Sequence, residues 1–328
     1  MPVTDASYVA GARREVERQA RAINLGSDGI GRAALIATEL ATNLVRHGGG
    51  GQLLVRALPT AAVTGLELIA IDGGPGIRDV GHSLRDGVST GGTSGTGLGA
   101  IRRQADEFDI TSTPGQGTAV LARVWPNHKP VAEAGVQVGV VCVAKQEEQI
   151  CGDAWGVLSG QTKAVALVAD GLGHGPLASQ ASQEARRLFM RGDDPSPIAA
   201  VQKIHAGLGA TRGAAVAVVS LDLAANRAVF SGIGNIAGLV TAGGQTRRFV
   251  SMNGIAGHSA ERFREFVYPC EGPGLVLVIH SDGLSTNWSF DRYTGLMARH
   301  PALIAAVLYR DAGRSRDDAT VLVLKRVA

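Results

Sequence analysis

The chain has 328 residues, 45% of them hydrophobic and 19% charged, with a formal net charge of +3. That length allows two domains of ordinary size, each with its own core, and the small, scattered positive charge leaves no footprint for nucleic acid. No apolar run approaches the ~20 residues needed to cross a bilayer and no signal-peptide pattern opens the chain, so a cytoplasmic protein with no membrane partner is expected.

Residues 7 to 24, rich in Ala, Arg and Glu, are predicted as a helix, and a second runs from about Ser27 to His47 with Ser27 or Asp28 as its N-cap. On it Glu39, Asn43 and His47 fall at i, i+4 and i+8 and share one face; taken alone, they read as the wet side of an amphipathic helix. Residues 52–58 and 65–71 are predicted strands, the second leading into Asp72-Gly73-Gly74-Pro75-Gly76. The stretch from Ser89 to Gly99 is a glycine-rich loop entering a helix, and Pro114 to Thr118 opens a further strand. A glycine-rich loop before a helix N-terminus presents unpaired N–H groups and the positive end of a dipole to phosphate oxygens. The lack of a Gly-Lys-Ser/Thr ending excludes a P-loop.

Pro126 and Pro130 cannot sit within one central strand, so residues 126–134 are predicted as a linker between domains at 1–125 and 135–328. Residues 135–144 form a Val-rich strand, a polar loop leads to Cys151-Gly152-Asp153, and 163–169 is a buried strand ending in Asp170-Gly171. Helices are predicted over 176–191 and 196–208, strands over 213–223 and 228–230, a turn at 231–235, and further strands from Gly238 up to Ser281-Asp282-Gly283. A helix over about 301–309 precedes a last strand that follows Asp317-Asp318. This order fits a layered α/β sandwich better than alternating βαβ units. Three apolar strands each deliver a carboxylate at one end, which is how a hard, oxygen-lined site for divalent cations is built. Cys142, Cys151 and Cys270 have no CxxC spacing, so neither a zinc site nor a disulfide framework is predicted.

Glu39 and Asn43 on a helix, Asp72 with its glycines, the 89–99 loop and Thr118, in this order, resemble the ATP-binding domain shared by DNA gyrase, heat-shock chaperones, histidine kinases and mismatch-repair ATPases. The likeness is strongest to the serine kinases that act on bacterial anti-sigma and stress-response switch proteins, whose short lid looks like Asp86 to Gly92 here. The resemblance implies that Asn43 holds Mg²⁺, that Asp72 with Thr118 meets the adenine amino group, and that Glu39 polarises the attacking hydroxyl. Gly74, Gly76, Gly95, Thr96, Gly97, Leu98 and Gly99 complete the implied nucleotide site. Phosphoryl transfer asks for this kind of positioning and charge neutralisation. No phospho-accepting helix precedes the domain and His47 reads as structural, so the acceptor would be a hydroxyl on another protein.

Cys151-Gly152-Asp153, Asp170-Gly171 with Gly173-His174-Gly175, Gly232 to Asn235, Asp282-Gly283 and Asp317 to Thr320 resemble the metal-dependent protein serine/threonine phosphatases. The matching subgroup is the bacterial one typified by the sporulation stage II E phosphatase and the stressosome feedback phosphatase. By that resemblance two Mn²⁺ or Mg²⁺ ions activate water for attack on a phosphate monoester. Asp170 would bridge the ions, the Gly171 carbonyl would complete one shell, and Asp153 would act through water. Asp282 and Asp317 would hold the second ion, with neighbouring Asp318 the open alternative to Asp317. His174 reads as structural or as a general acid, and His280 as a neighbour of the site. The arginine that eukaryotic members use for substrate phosphate is missing, and Lys145 is the only cation in its region.

The expected fold class is therefore α+β, a two-layer ATP-binding sandwich followed by an αββα four-layer phosphatase sandwich. The expected function is a bifunctional regulator that phosphorylates and dephosphorylates a switch protein of the anti-sigma-antagonist type. One alternative keeps the phosphatase and makes the first domain an ATP sensor or docking module. Another is a non-catalytic protein that binds a sigma factor or an anti-sigma antagonist. The oligomeric state is left open.

Overall fold

The computed structural model describes residues 1–60, 62–84, 97–128, 135–192, 196–260 and 262–327, and the chain divides into two units, Met1–Ala132 and Glu133–Ala328. In the first, β1 (Pro2–Val3), α1 (Ser7–Ala22) and α2 (Gly26–Arg46) are followed by β2 (Gly51–Pro59), β3 (Thr64–Asp72) and the short α3 (Val80–Ser83). Then come α4 (Gly97–Gln104), β4 (Glu107–Ser112) and β5 (Thr118–Val124). The strands form one antiparallel sheet in the order β1-β2-β3-β5-β4. Ala33, Ile36, Ala37, Leu40, Ala41 and Leu44 recur every three to four residues along α2, and this stripe packs with Val16 and Ala20 of α1 over Leu66, Leu68 and Ala70 of β3. The result is one helical layer on one sheet.

Two details differ from expectation. The helix α2 starts at Gly26, with Leu25 at the N-cap and no side-chain cap, so neither Ser27 nor Asp28 caps it. Gly26 adopts a φ of +82°, which turns the chain straight into the helix, and Asp28 sits in the first turn, where the dipole favours an acid. Strand β4 was not predicted, because only Ile110 of its residues is fully buried and it lies at the sheet edge.

Arg32 holds this unit's layers together. Only 6% exposed, it pairs with Asp28 at 2.9 Å and Asp106 at 3.0 Å, and donates to the carbonyls of Gln104 and Trp125 at 3.0 Å each. One guanidinium thus ties α2 to the end of α4, the start of β4 and the end of β5. Removing one partner of a buried pair typically costs about 3 kcal/mol. Arg32→Met is expected to lower the unfolding free energy by roughly that amount, read as a fall in the urea midpoint followed by circular dichroism.

The second unit runs β6 (Val136–Val143), β7 (Asp153–Ser159), β8 (Lys163–Gly171), α5 (Pro176–Met190), α6 (Pro197–Gly207), β9 (Ala214–Asp222) and β10 (Arg227–Ile233). It continues with β11 (Ala237–Ala242), β12 (Gln245–Arg248), β13 (Phe266–Pro269), β14 (Val276–His280), α7 (Pro301–Ala312) and β15 (Ala319–Arg326). Two five-stranded sheets result, in the orders β13-β10-β9-β8-β7 and β12-β11-β14-β15-β6. Strand β8 explains their stacking. Its Ala164, Ala166 and Val168 share a core with Val240, Leu277, Ile279 and Leu322 of the other sheet. The alternate residues Val165, Leu167 and Ala169 pack on Phe189 of α5 and Val201 and Ile204 of α6. Both faces are covered, which is why the strand reads as an unbroken apolar run. Helix α7 packs on β6 and β15, and the layers run helix, sheet, sheet, helix. Ala, Val and Leu make up most of the inter-sheet core, and Phe230, Phe249 and Tyr268 pack in a row within it, with ring centroids 4.8 and 4.9 Å apart.

The turn predicted at 231–235 begins later. Ser231, Gly232 and Ile233 stay in β10, paired with Val218, Ala217 and Val216 of β9. Ladder pairing overrides the glycine preference there, and the turn falls on Gly234 and Asn235. Of the linker expected over 126–134, residues 126–128 form a single 3₁₀ turn and 129–134 lie outside the described residues.

Candidate functional site

In the first unit α2 positions the polar residues. Glu39 and Asn43 both face the start of α4, where a Cβ on Gly97 would stand 3.4 Å from Asn43 Oδ1 and 3.4 Å from Glu39 Oε2. The two side chains therefore share one space with the first turn of α4, in which Gly99 is buried and Leu98 packs on the core. Asn43 Nδ2 is buried and has no hydrogen-bond partner among the described residues. A buried donor without an acceptor is uncommon and calls for an explanation.

At its far end α2 meets the other half of the candidate site. A Cβ on Gly48 would lie 2.7 Å from Asp72 Cβ, so the helix exit packs directly on the end of β3. Asp72 stands opposite Thr118 in the β3–β5 ladder, and its Oδ1 accepts the N–H groups of Gly74 at 2.9 Å and Thr118 at 3.2 Å. The Thr118 hydroxyl is 2.9 Å from Ser112 Oγ, which also accepts the Ile77 N–H at 2.8 Å. Gly76 holds a φ of +69° against the Thr113 carbonyl. His47 is exposed and bonds the Asn43 carbonyl through its own N–H. Gly95, Thr96 and the lid stretch Asp86 to Gly92 lie outside the described residues.

The second unit gathers five aspartates. In the β7–β8 ladder Asp153 stands directly opposite Asp170. In the other sheet His280 of β14 pairs with Val321 of β15, so Ser281-Asp282 leaves one strand where Asp317-Asp318 enters the next. Ser281 joins the two sheets. Its Oγ donates to Asp153 Oδ2 at 2.7 Å and accepts the Thr320 N–H at 2.9 Å. On the facing side Asn235 Nδ2 donates to Asp282 Oδ2 at 2.6 Å. Helix α5 approaches so closely that a Cβ on Gly171 would lie 2.0 Å from the Ala178 carbonyl, and the Gly171 N–H bonds the Gly152 carbonyl at 3.2 Å.

The electrostatics are those of uncompensated like charge. Burial first, then the charges of Asp153, Asp282 and Asp317, push Asp170 up to about 9. Burial pushes Asp153 up to about 7, with Asp318 and Asp282 adding repulsion, and burial with Asp282 raises Asp317 as well. Asp317 thus faces Asp282 and Asp170. Its neighbour Asp318 faces Asp153, is 2% exposed, and takes the Lys145 N–H on Oδ1 at 3.0 Å. Asp153 Oδ1 and Asp318 Oδ2 are buried without hydrogen-bond partners among the described residues. Among the described residues no three His, Cys, Asp or Glu side chains stand in finished metal-ligating geometry. What the carboxylates offer is orphaned hard oxygen donors and mutual repulsion, both of which a divalent cation relieves. The donor set fits Mn²⁺ or Mg²⁺.

Several neighbours of the cluster were not singled out beforehand. Ser281 and Thr320 stand in the motifs only beside acids, and Asn235 only as the end of the Gly232 to Asn235 stretch. Glu148 pairs with His174 at 2.8 Å, both partly exposed, which gives that histidine a carboxylate partner. Arg212 carried no signal at all; its Nη1 lies 3.2 Å from where a Cβ on Gly173 would stand. His280 is 2% exposed, bonds the Ser281 carbonyl at 2.8 Å and packs on Trp288, and burial lowers its pKa. Cys142 beside it, burial and the Asp153 charge push the Cys151 thiol up.

Comparison with known proteins follows the same division. Residues 2–124 match the histidine kinase-like ATPase domain model, and residues 160–327 match the model for stage II sporulation protein E. The chain is 34% identical over 117 residues to the serine/threonine-protein kinase RsbT of Bacillus subtilis (strain 168), covering 36% of this chain and 88% of that protein. It is 21% identical over 151 residues to the phosphoserine phosphatase RsbX of the same organism, covering 46% and 75%. A crystal structure of RsbX in complex with magnesium aligns with a TM-score of 0.52 at 18% identity, over 61% of this chain and 99% of that one, and so shares the fold. No helix among the described residues is long and apolar enough to cross a membrane.

Proposed function

The chain belongs to the stage II sporulation protein E family and carries a histidine kinase-like ATPase domain ahead of the phosphatase domain, and from that premise we propose a regulator with two opposing activities. The second unit hydrolyses phosphoserine or phosphothreonine on a partner protein. The first binds ATP with Mg²⁺ and phosphorylates Ser or Thr on a switch protein of the anti-sigma-antagonist type, a reading supported by the similarity to a kinase and a phosphoserine phosphatase.

The observation that carries the phosphatase is the aspartate cluster, with Asp153 directly opposite Asp170 in its ladder and two buried carboxylate oxygens unpartnered among the described residues. Two Mn²⁺ or Mg²⁺ ions, when bound, supply a nucleophilic water and neutralise phosphate charge. Asp170 would bridge them and the Gly171 carbonyl would complete one shell, Asp282 with Asp317 or Asp318 would hold the second ion, and Asp153 would act through water. Asn235 orients Asp282 and Ser281 orients Asp153, the outer support that carboxylate ligands need. Arg212, beside Gly173 on the loop that follows Asp170, takes the substrate phosphate in place of the missing family arginine.

In the first unit Asn43 would hold Mg²⁺ on the phosphates, Glu39 would orient the acceptor hydroxyl, and Asp72 with Thr118 would receive the adenine amino group. Gly74 and Gly76 shape that end, and Gly95, Thr96, Gly97, Leu98 and Gly99 line the phosphates. The contact of Gly97 with both Glu39 and Asn43 supports this reading.

The test is a Mn²⁺ titration of phosphate release from a phosphoserine peptide. Wild type is expected to show saturable release that EDTA abolishes. Asn235→Ala is expected to move the Mn²⁺ midpoint up by about 10- to 100-fold, the cost of losing a residue that orients a ligand. No release at any Mn²⁺ concentration sinks the phosphatase reading.

A further inference from the structure

Cys142 and Cys151 place their Sγ atoms 3.6 Å apart, a closeness that their sequence spacing does not announce. Cys142 lies on β6, the edge strand of one sheet, and Cys151 stands two residues before the start of β7, the edge strand of the other. The pair therefore spans the two layers at their common border. Both thiols are free and half-buried, whereas Cys270 is buried and bonds the Tyr268 carbonyl at 3.4 Å.

The pair also adjoins the aspartates. Cys142 Sγ is 4.0 Å from the Asp153 carbonyl oxygen. Gly152, between Cys151 and Asp153, accepts the Gly171 N–H at 3.2 Å, and a Cβ on it would stand 2.6 Å from Asp318 Oδ2. Gly152 thus links Cys151 to Asp153, Gly171 and Asp318.

We propose that Cys142 and Cys151 form a thiol-oxidation site whose product is a reversible intrachain disulfide, and that this disulfide weakens divalent-cation binding at the aspartate cluster. A disulfide needs its sulfurs ~2.0 Å apart, so closure takes a shift of about 1.5 Å from the present separation. Residues 149 and 150 ahead of Cys151 are exposed and outside any strand, which leaves that side free to move. The oxidant is a peroxide. Two S–H bonds and the O–O bond break, one S–S bond forms, and hydrogen peroxide takes the two hydrogens and two electrons to leave as two waters.

The experiment treats the full chain with hydrogen peroxide over hours, then maps peptides by mass spectrometry without reduction. A Cys142–Cys151 cross-linked peptide, lighter by two hydrogens and restored by dithiothreitol, is expected in wild type and in Cys270→Ser, and absent from Cys142→Ser. A Mn²⁺ titration read by thermal shift is expected to move about 10-fold toward higher concentration in oxidised wild type, and to stay unchanged in peroxide-treated Cys142→Ser. A cross-link to Cys270, or sulfinic acid with no cross-link, overturns the site. A disulfide that leaves the Mn²⁺ midpoint unmoved overturns the coupling. Neither readout depends on phosphatase turnover, so this proposal and the functional one fail separately.

Discussion

Asp170→Asn is expected to cut phosphate release from a phosphoserine peptide by about 10³-fold, well beyond the ~10- to 100-fold typical of a residue that only orients a ligand, while raising the melting temperature of the metal-free protein. The two effects have one cause. Asp170 is held at about 9 against an ordinary 3.8 by burial and by the charges of Asp153, Asp282 and Asp317, so its ionised form is disfavoured in the fold unless a cation accompanies it. Asparagine keeps the shape, removes the charge and loses the ligand. Because the folded pKa lies above the unfolded one, the unfolded chain binds fewer protons between these values, and stability falls as pH rises. The metal-free wild type is thus expected to retain this contribution below about pH 4 and to lose it progressively up to about pH 9. Mn²⁺ should restore most at the alkaline end. Thermal melts with EDTA or Mn²⁺ at several pH values check this, at about 2–4 °C per kcal/mol for a unit of this size. A metal-free melting temperature that climbs toward pH 9, or a D170N variant that retains turnover, contradicts the assignment.

Asn43→Ala is expected to weaken Mg²⁺-ATP binding by about 10²-fold, close to 2.7 kcal/mol, and to abolish label transfer from γ-labelled ATP to a candidate partner. The variant is a clean probe for a structural reason. Asn43 Nδ2 is buried without a hydrogen-bond partner among the described residues, so deleting it removes no bond to them and the melting temperature should hardly move. Calorimetry gives the binding constant and a melt without nucleotide gives the stability. Unchanged affinity would remove Asn43 from the nucleotide site. Lost transfer with unchanged affinity would give it a role in transfer alone. If ATP alters phosphatase turnover while wild type yields no phosphoprotein, the first unit is a sensor instead of a kinase.

The architecture was largely legible because its signals are short-range. The apolar run of β8, the 3.6-residue stripe of α2 and the prolines at the starts of α5, α6 and α7 each dictate local structure without help from the rest of the chain. What was missed depends on pairing. β4 is too polar to announce itself, and β10 extends through Gly232 because β9 lies alongside. At the aspartate cluster Asp170, Asp282, Asp317 and Asp318 stand out by their Asp-Gly and Asp-Asp contexts, and Asp153 by the likeness of its Cys-Gly-Asp stretch to the family. Ser281 and Asn235 could not be ranked above ordinary flanking residues, since their hydrogen bonds join segments far apart in sequence. Arg212 and the Cys142–Cys151 approach are products of sheet stacking and leave no trace in one dimension.

Among the described residues strand β7 pairs with β8 alone, and the first rung of their ladder sets Asp153 against Asp170. Like charges directly opposed weaken a ladder, so the rungs from Ala154 with Ala169 to Ser159 with Ala164 must hold the strand against repulsion at its own tip. A cation held by these acids would zip that tip shut. Cys151 is the thread just beyond the zip. Drawing it toward Cys142 and holding Asp153 beside a hydrated cation would therefore be rival pulls on one strand end.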